Sequence, residues 1–384
     1  MRELLTEKEI ADEFPMTKKF LYFAGASTGI IPERSLAAQY GFLQRYRKTD
    51  LFHDPETFAM MSRLRSNLAK STGAAEGEIA LVPNTSTGLN IIAAGFPWQP
   101  DDEILVGTRE FPANTYPWQN LKNRGVNTRW IEMHGGRITP EMVEKEITAS
   151  TRLLAISAVQ FSDGYRLDLK SIVQICHRRG IAVIVDGIQA AGALKIGASE
   201  TGFDAFVAGG QKHLLSPYGS GFLQVTRNLL ERLRPAYDAW LSHFVSPEDF
   251  IDLLRHNLPP APDARRLEIG SLAYGSLWGM DESIKMILEL GIANIENYNL
   301  GIANMFCEEI ARVPGAEIVS DRSGKAASHI VSVKLPDARK IRDKLTARKV
   351  VVSLREGCLR FAFHIYNSPR QIERAISIIK QLID

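Results

Sequence analysis

The chain has 384 residues, of which 45% are apolar and 23% charged, with a formal net charge of +2. This is the balance of an ordinary globular protein with enough length for two domains, and it excludes neither small ligands nor proteins as partners. No basic cluster is dense enough to indicate nucleic acid, and no apolar run reaches membrane-spanning length. The start, Met1-Arg2-Glu3-Leu4-Leu5-Thr6-Glu7-Lys8-Glu9, is too charged for a signal peptide. The three cysteines, Cys176, Cys307 and Cys358, are odd in number and far apart, so neither a disulfide framework nor a metal cluster is expected. A reduced, cytoplasmic setting follows as an expectation.

In chain order, short apolar runs alternate with amphipathic stretches from about residue 70 to 225, the pattern of a largely parallel sheet covered by helices. Strands are predicted at Ile79 to Val82, Glu103 to Val106, Leu153 to Val159, Ile181 to Val185, Asp204 to Ala208 and Gly221 to Val225. Leu169, Ile172, Val173 and Cys176 recur at helical spacing, and Gly180 closes that helix. Pro259-Pro260-Ala261-Pro262 marks a break or rigid loop. Beyond it the order is a helix over Met280 to Glu289, another over Ile295 to Val313, strand His329 to Leu335, helix Asp337 to Arg348, and strands Val350 to Leu354 and Cys358 to His364. A last helix opens on Ser368-Pro369-Arg370-Gln371, a capping serine with Gln371 as the reciprocal cap. The division expected is an N-terminal arm (1–20) packing with the small domain, a large α/β domain (21–255) and a smaller α+β domain (256–384).

Ligands in open parallel sheets bind outside the carboxyl ends of the strands, and special residues gather there. After the first strand, Pro83-Asn84-Thr85-Ser86-Thr87-Gly88 opens a helix, offering hydroxyls and free amides to an anion such as phosphate; a plain N-cap is the bland alternative. The second strand leads to Phe111, able to stack on a flat ring, and the third to Gln160. The fourth ends on Asp186, followed by Gln189. A carboxylate at the end of a strand buried on both faces is costly unless a cation meets it. The fifth strand runs into Gly209-Gly210-Gln211-Lys212, an amine on a glycine-flanked turn. An amine beside a buried acid suits a Schiff-base lysine with a pyridinium partner, the arrangement that pyridoxal phosphate (PLP) needs.

Val185-Asp186-Gly187-Ile188-Gln189-Ala190-Ala191-Gly192 and Gly209-Gly210-Gln211-Lys212-His213-Leu214-Leu215-Ser216-Pro217-Tyr218-Gly219 carry a resemblance to a known family. Arg266-Leu267-Glu268-Ile269-Gly270-Ser271 and Leu359-Arg360-Phe361-Ala362-Phe363-His364-Ile365-Tyr366-Asn367 support it. The chain resembles the fold-type I PLP-dependent enzymes of the class V aminotransferase family, which also holds cysteine desulfurases, kynureninases and isopenicillin N epimerase-like proteins. The resemblance spans nearly the whole length, from Phe23-Ala24-Gly25-Ala26-Ser27 to the last helix. It implies an α/β fold with a mostly parallel seven-stranded sheet between helices, plus the smaller C-terminal domain.

The resemblance also implies roles. Lys212 would form the Schiff base and Asp186 would hold the pyridine nitrogen protonated. Gln189, perhaps with Gln160, would contact the ring hydroxyl, and Phe111 would stack on the ring. Ser86, Thr87 and Gln211 would take the phosphate, with Ser271 reaching the site from the neighbouring subunit of a homodimer. Arg360 would bind the α-carboxylate of an amino-acid substrate, a task suited to a planar bidentate donor. The activity implied first is transamination; C–S lysis or β-elimination, and racemisation or epimerisation, use the same groups. Cysteine desulfuration is disfavoured, because Phe111 stands where a histidine is usual and the run Val351 to Arg360 leaves no room for a mobile cysteine loop. His213 follows the lysine where relatives commonly carry tryptophan, and Gly209 replaces a phosphate-binding serine. A DNA-binding regulator would need a helix-turn-helix that does not fit before the first strand, and a nicotinamide enzyme a Gly-x-Gly-x-x-Gly between strand and helix. Side-chain specificity would rest on Leu21 to Ile31, Tyr40 to Phe58 and Tyr237 to Phe250.

Overall fold

The computed structural model describes residues 4–49, 54–133, 137–244, 249 and 254–383. The first three residues of the charged start, and parts of the expected specificity segments (50–53, 245–248 and 250), lie outside the described residues. Among the described residues thirteen strands take the order β1 (Leu21–Tyr22), β2 (Ile79–Leu81), β3 (Glu103–Gly107), β4 (Asn127–Ile131), β5 (Thr151–Ser157), β6 (Ala182–Asp186), β7 (Ala205–Gly209), β8 (Gly221–Val225), β9 (Glu317–Ile318), β10 (Ile330–Lys334), β11 (Val350–Val351), β12 (Ser353–Arg355) and β13 (Cys358–Ala362).

Seven of these form the central sheet, in the order β2-β8-β7-β6-β5-β3-β4. β8 pairs antiparallel with both β2 and β7, and every other pairing is parallel. β6 and β7 are buried at every position. Helices cover both faces, which is why these strands read as unbroken apolar runs rather than alternating ones. One face packs Leu105, Ile156, Val185 and Phe206 with residues of the helices Pro55–Thr72 and Tyr274–Leu290. The other packs Ile104, Ala155, Ile184 and Val207 with Leu89 and Ile92 of the helix Thr85–Gly95.

A four-stranded antiparallel sheet, β12-β13-β10-β9, carries the C-terminal part. It buries Val331, Val333, Leu359 and Phe361 against Ile302 and Phe306 of the helix Ile292–Ile310 and Ile372 and Ile376 of the helix Pro369–Ile383. Two links tie it to the N-terminal segment: β1 pairs in parallel with β11, and Ala24 bridges Ala362. Glu7 of the first helix meets Arg370 at 2.9 Å, and Phe14 packs edge-on against Tyr366. Among the described residues no helix is long and apolar enough to cross a membrane.

Several expected elements shift or divide. β4 is an edge strand with a half-exposed run, Asn-Thr-Arg-Trp-Ile, whose low apolar content hid it from a search for buried runs. The expected strand Val350 to Leu354 is two strands, because the chain leaves β1 at Val352 and joins β13 instead. The fourth strand extends to include Asp186, which pairs with Ser157 on one side and Val207 on the other. The reciprocal cap expected from Gln371 differs as well: its side-chain oxygen accepts from Asn367 Nδ2 at 3.3 Å.

Candidate functional site

The carboxyl ends of β3, β5, β6 and β7, with the start of the helix after β2, converge on one region. Asp186 is buried there, and its Oδ1 accepts from the Ile188 amide at 3.0 Å. The turn beyond it hugs the neighbouring strand: Gly187 donates to Val207 O at 2.8 Å, and a Cβ at Gly187 would lie 1.8 Å from the Phe206 ring. Only glycine fits that approach. Burial raises the Asp186 carboxyl to about 6, a rise opposed by the Ile188 bond and by the charge of Lys212.

Lys212 sits on the turn after β7. That turn is pinned by Gly209 N to Thr85 Oγ1 (2.9 Å), Gly210 N to Ser220 O (2.7 Å) and Gly29 N to Gln211 O (2.8 Å). A Cβ at Gly29 would stand 1.9 Å from Lys212 O, so the loop from Gly25 lies directly against the lysine backbone. Burial lowers the Lys212 ammonium to about 8; Asp186 opposes the fall, while Arg360 and Arg355 add to it. Its Nζ lies 5.5 Å from the centroid of the Phe111 ring, which also packs edge-on against Phe161 at 5.3 Å. The structure therefore gathers Lys212, Asp186 and Phe111 in one place.

Arg360 projects from β13 and is almost wholly buried. Nη1 donates to Phe161 O, Nη2 donates to Ser27 Oγ at 2.8 Å, and Nε has no partner. Arg355 converges on the same hydroxyl, Nη2 to Ser27 Oγ at 3.2 Å, and Ser27 also meets Ser353 Oγ at 2.8 Å. Burial, then the neighbouring Arg355 charge, lowers Arg360 to about 9. Neither arginine has a carboxylate within ion-pair distance among the described residues. Two cations that share one serine and lack an anion have the charge and the donors to receive a carboxylate.

Gln189 is buried with both ends engaged, Nε2 to Ala26 O (3.0 Å) and Oε1 to His213 Nε2 (3.0 Å). Gln160 is fully buried, its Nε2 held by Glu110 and its Oε1 without a partner. Ser86 is exposed in the first turn of Thr85–Gly95. Thr87 is tied to the cap, its amide and hydroxyl both donating to Asn84 Oδ1 at 2.8 and 3.2 Å. Gln211 folds back so that its Oε1 would be 2.5 Å from a Cβ at Gly209, which explains a glycine there. Ser271 is exposed in the loop before the helix Tyr274–Leu290, and no described hydrogen bond joins it to Ser86, Thr87 or Gln211.

Sequence reasoning passed over Ser27, Arg355, Thr85 and Glu110. Arg355 carried a usable signal. Glu356 and Gly357, both at positive φ, form a two-residue hairpin turn that pairs Arg355 with Cys358 and Ser353 with Arg360. His213 is a second surprise. It is buried with His329 and His364, its Nε2 lying 3.2 Å from His329 Nε2 while its carbonyl accepts from His364 Nε2 at 3.0 Å.

A buried carboxylate and a buried amine that feel each other's charge, an aromatic ring beside the amine, an unpartnered amide oxygen and a helix N-terminus are groups that suit a PLP ring and phosphate. The fold is that of a PLP-dependent enzyme of fold-type I. The class-V aminotransferase profile matches residues 21–375, and the chain belongs to that family. Its relatives include an uncharacterized aminotransferase, YcbU, of Bacillus subtilis, 28% identical and covering 82% of each chain. A probable cysteine desulfurase of Borreliella burgdorferi is 26% identical, over 98% of this chain and 96% of its own. Among solved structures, a C-DES mutant with glycine covalently linked to its PLP cofactor superposes with a TM-score of 0.86 at 22% identity, covering 96% and 98%.

Proposed function

We propose that the protein is an aminotransferase that takes an α-amino acid through a covalent link between PLP and Lys212. The observation that carries this reading is the pairing of Lys212 with Asp186 under Phe111, beside two arginines that lack an anion. PLP, when bound, supplies an electron sink for the bond that breaks at the substrate's Cα.

The chain's own residues do the rest. Asp186 places a negative charge for the ring nitrogen and keeps its proton there, because a buried carboxylate is stabilised by the cation it faces. Lys212, its ammonium lowered to about 8 by burial and by the arginine charges, can give up a proton and move one at Cα. Arg360, with Arg355, orients the substrate by its carboxylate in place of the Ser27 hydroxyl. Phe111 covers the ring and excludes water from that face. Gln160 is left to serve the ring oxygen, since Gln189 is engaged at both ends by Ala26 and His213, and Ser86 and Gln211 to take the phosphate, which Thr87 joins only on releasing Asn84. Ser271, exposed in this chain, belongs in this reading to the neighbouring copy's phosphate site. Light scattering that returned the mass of a single chain would remove Ser271 from it.

C–S bond cleavage is the second reading, favoured by the name of the Borreliella relative. Persulfide relay is a poor match to the thiols here. Cys176 is buried with its thiol pushed up to about 12, Cys307 lies on the helix Ile292–Ile310, and Cys358 is fixed in β13 by the short hairpin. The deciding experiment supplies single amino acids to the PLP-loaded protein. Keto acid with the cofactor left in its amine form supports transamination. Pyruvate and ammonia with the cofactor unchanged would replace it by elimination, and inversion alone by racemisation.

A further inference from the structure

Arg355 and Arg360 meet at one hydroxyl, and the register of the hairpin puts them there. β12 pairs with β13 so that Ser353 lies opposite Arg360 and Arg355 opposite Cys358. Ser353 and Arg355 alternate with Leu354 and so share one face of their strand. Arg360, directly across from Ser353, lies on that face too. Glu356 and Gly357 close the hairpin, Glu356 at a φ of 46°, a conformation that side chains rarely adopt. The turn carries strain, and its shortness fixes the place of Arg355 against Arg360.

The two guanidinia are filled differently. Arg360 gives Nη1 to Phe161 O and Nη2 to Ser27 Oγ at 2.8 Å, whereas its Nε is buried and bare. Nε and the second hydrogen of Nη2 form the side edge of the fork, which one carboxylate completes with two parallel bonds. Arg360 thus takes a whole carboxylate by itself. Arg355 is half-buried; Nη1 donates to Leu354 O at 2.8 Å and Nη2 to Ser27 Oγ at 3.2 Å, and no described acceptor engages its Nε.

The charges point the same way. Burial and then the Arg355 charge lower Arg360, and no acid offsets them. The Asp163 carboxyl, raised by burial, feels Arg109 and Arg137 rather than this pair. Two unpaired cations one hydroxyl apart repel each other, and a single α-carboxylate neutralises only one of them. The positive charge left over matches a second carboxylate; a phosphate, at about −1.5 to −2, exceeds it.

We propose that the amino acid taken by this site is dicarboxylic, aspartate or glutamate in kind, with its α-carboxylate on Arg360 and its side-chain carboxylate on Arg355. This rests on the aminotransferase reading above. The order follows from depth. Arg360 is buried beside Phe161 and Arg355 lies nearer to solvent, so the substrate's side chain runs outward past Arg355. Ser27, released by both arginines, keeps Ser353 Oγ at 2.8 Å as its partner.

The test is calorimetric titration of the PLP-loaded, full-length protein with two probes that carry no amine, succinate and its monoamide succinamate. Kinetics with aspartate, glutamate, asparagine and glutamine run beside it. The wild type should bind succinate roughly 10- to 100-fold more tightly than succinamate, the worth of one hydrogen bond to a charged group. It should prefer the acidic amino acids by a similar factor in kcat/KM, expressed mainly in KM. Arg355→Met should bring both ratios close to one, with Arg355→Gln as the second variant should the first fail to fold. Arg355→Lys, which keeps the charge but not the fork, should retain part of each ratio. A merely structural loss would weaken both probes alike and leave the ratios standing. Equal binding of the two probes by the wild type overturns the inference and means that the arginines share one carboxylate. Binding of neither probe overturns it as well, as does a preference that survives in Arg355→Met or Arg355→Gln. Asparagine and glutamine transaminated as readily as the acids would overturn it while leaving the aminotransferase reading intact. Succinate preferred, with no keto acid from any of the four, would support the dicarboxylate receptor and overturn that reading instead.

Discussion

Acidification should unfold this protein through three histidines. His213, His329 and His364 are wholly buried, and burial, reinforced for His213 and His329 by the other rings, holds them neutral; His364 is lowered to about 4 and the other two well below the ordinary value. A folded-state pKa below the unfolded one means that the unfolded chain binds more protons. Stability is then present above the unfolded pKa and lost as pH falls. Taking an unfolded pKa of about 6.5, each neutral histidine loses RT ln(1 + 10), about 1.4 kcal/mol, on going from about pH 7.5 to about pH 5.5. Asp186 works in the opposite sense: its raised pKa of about 6 makes protonation favour the fold, by about 0.8 kcal/mol over that range. Glu110 and Asp163, also raised by burial, act in the same direction. Urea unfolding of wild type and His329→Gln at a fixed protein concentration isolates the histidine contribution, because the carboxylates are common to both. The wild type should lose about 1.4 kcal/mol more than the variant across the range. Parallel curves would refute the claim that His329 is held neutral by the fold.

Three further outcomes follow from the site. Asp186→Ala should still bind PLP but lower turnover on the order of 100-fold, since the ring nitrogen loses a partner worth roughly one to three pKa units; near wild-type turnover would sink the electron-sink role. Arg360→Lys should raise KM for the amino acid by about 10- to 100-fold with a smaller change in kcat, because a point charge replaces a planar fork; an unchanged KM would move carboxylate binding to Arg355 alone. Gly192→Ala should cost about 2 kcal/mol or more in chemical unfolding, from a positive φ and a Cβ only 2.2 Å from His213 O; an unaltered midpoint would mean that the backbone there relaxes freely.

The sequence revealed most where burial leaves a one-dimensional mark. β6 and β7 were visible because parallel strands covered on both faces are continuously apolar, and Asp186 stood out because a charge ending such a run demands a reason. β4 was missed because an edge strand with Arg129 and Trp130 half out of the core lacks that mark. Phe111, Asp186 and Lys212 could be placed together because strand ends converge in this sheet topology. The Ser27–Arg355–Arg360 cluster could not, since it depends on how the loop after β1 meets a hairpin more than 300 residues later. Hydrogen-bond direction was equally out of reach. The network of Trp118, Asn114 and Glu110 meets Gln160 through a contact that spans 50 positions.

Every role assigned to these residues depends on one covalent attachment, that of PLP to Lys212. Borohydride treatment of the PLP-loaded protein, followed by peptide mass spectrometry, should find the reduced cofactor on Lys212 alone. Its recovery on another lysine, or on none, would contradict the assignment from which the other roles are drawn.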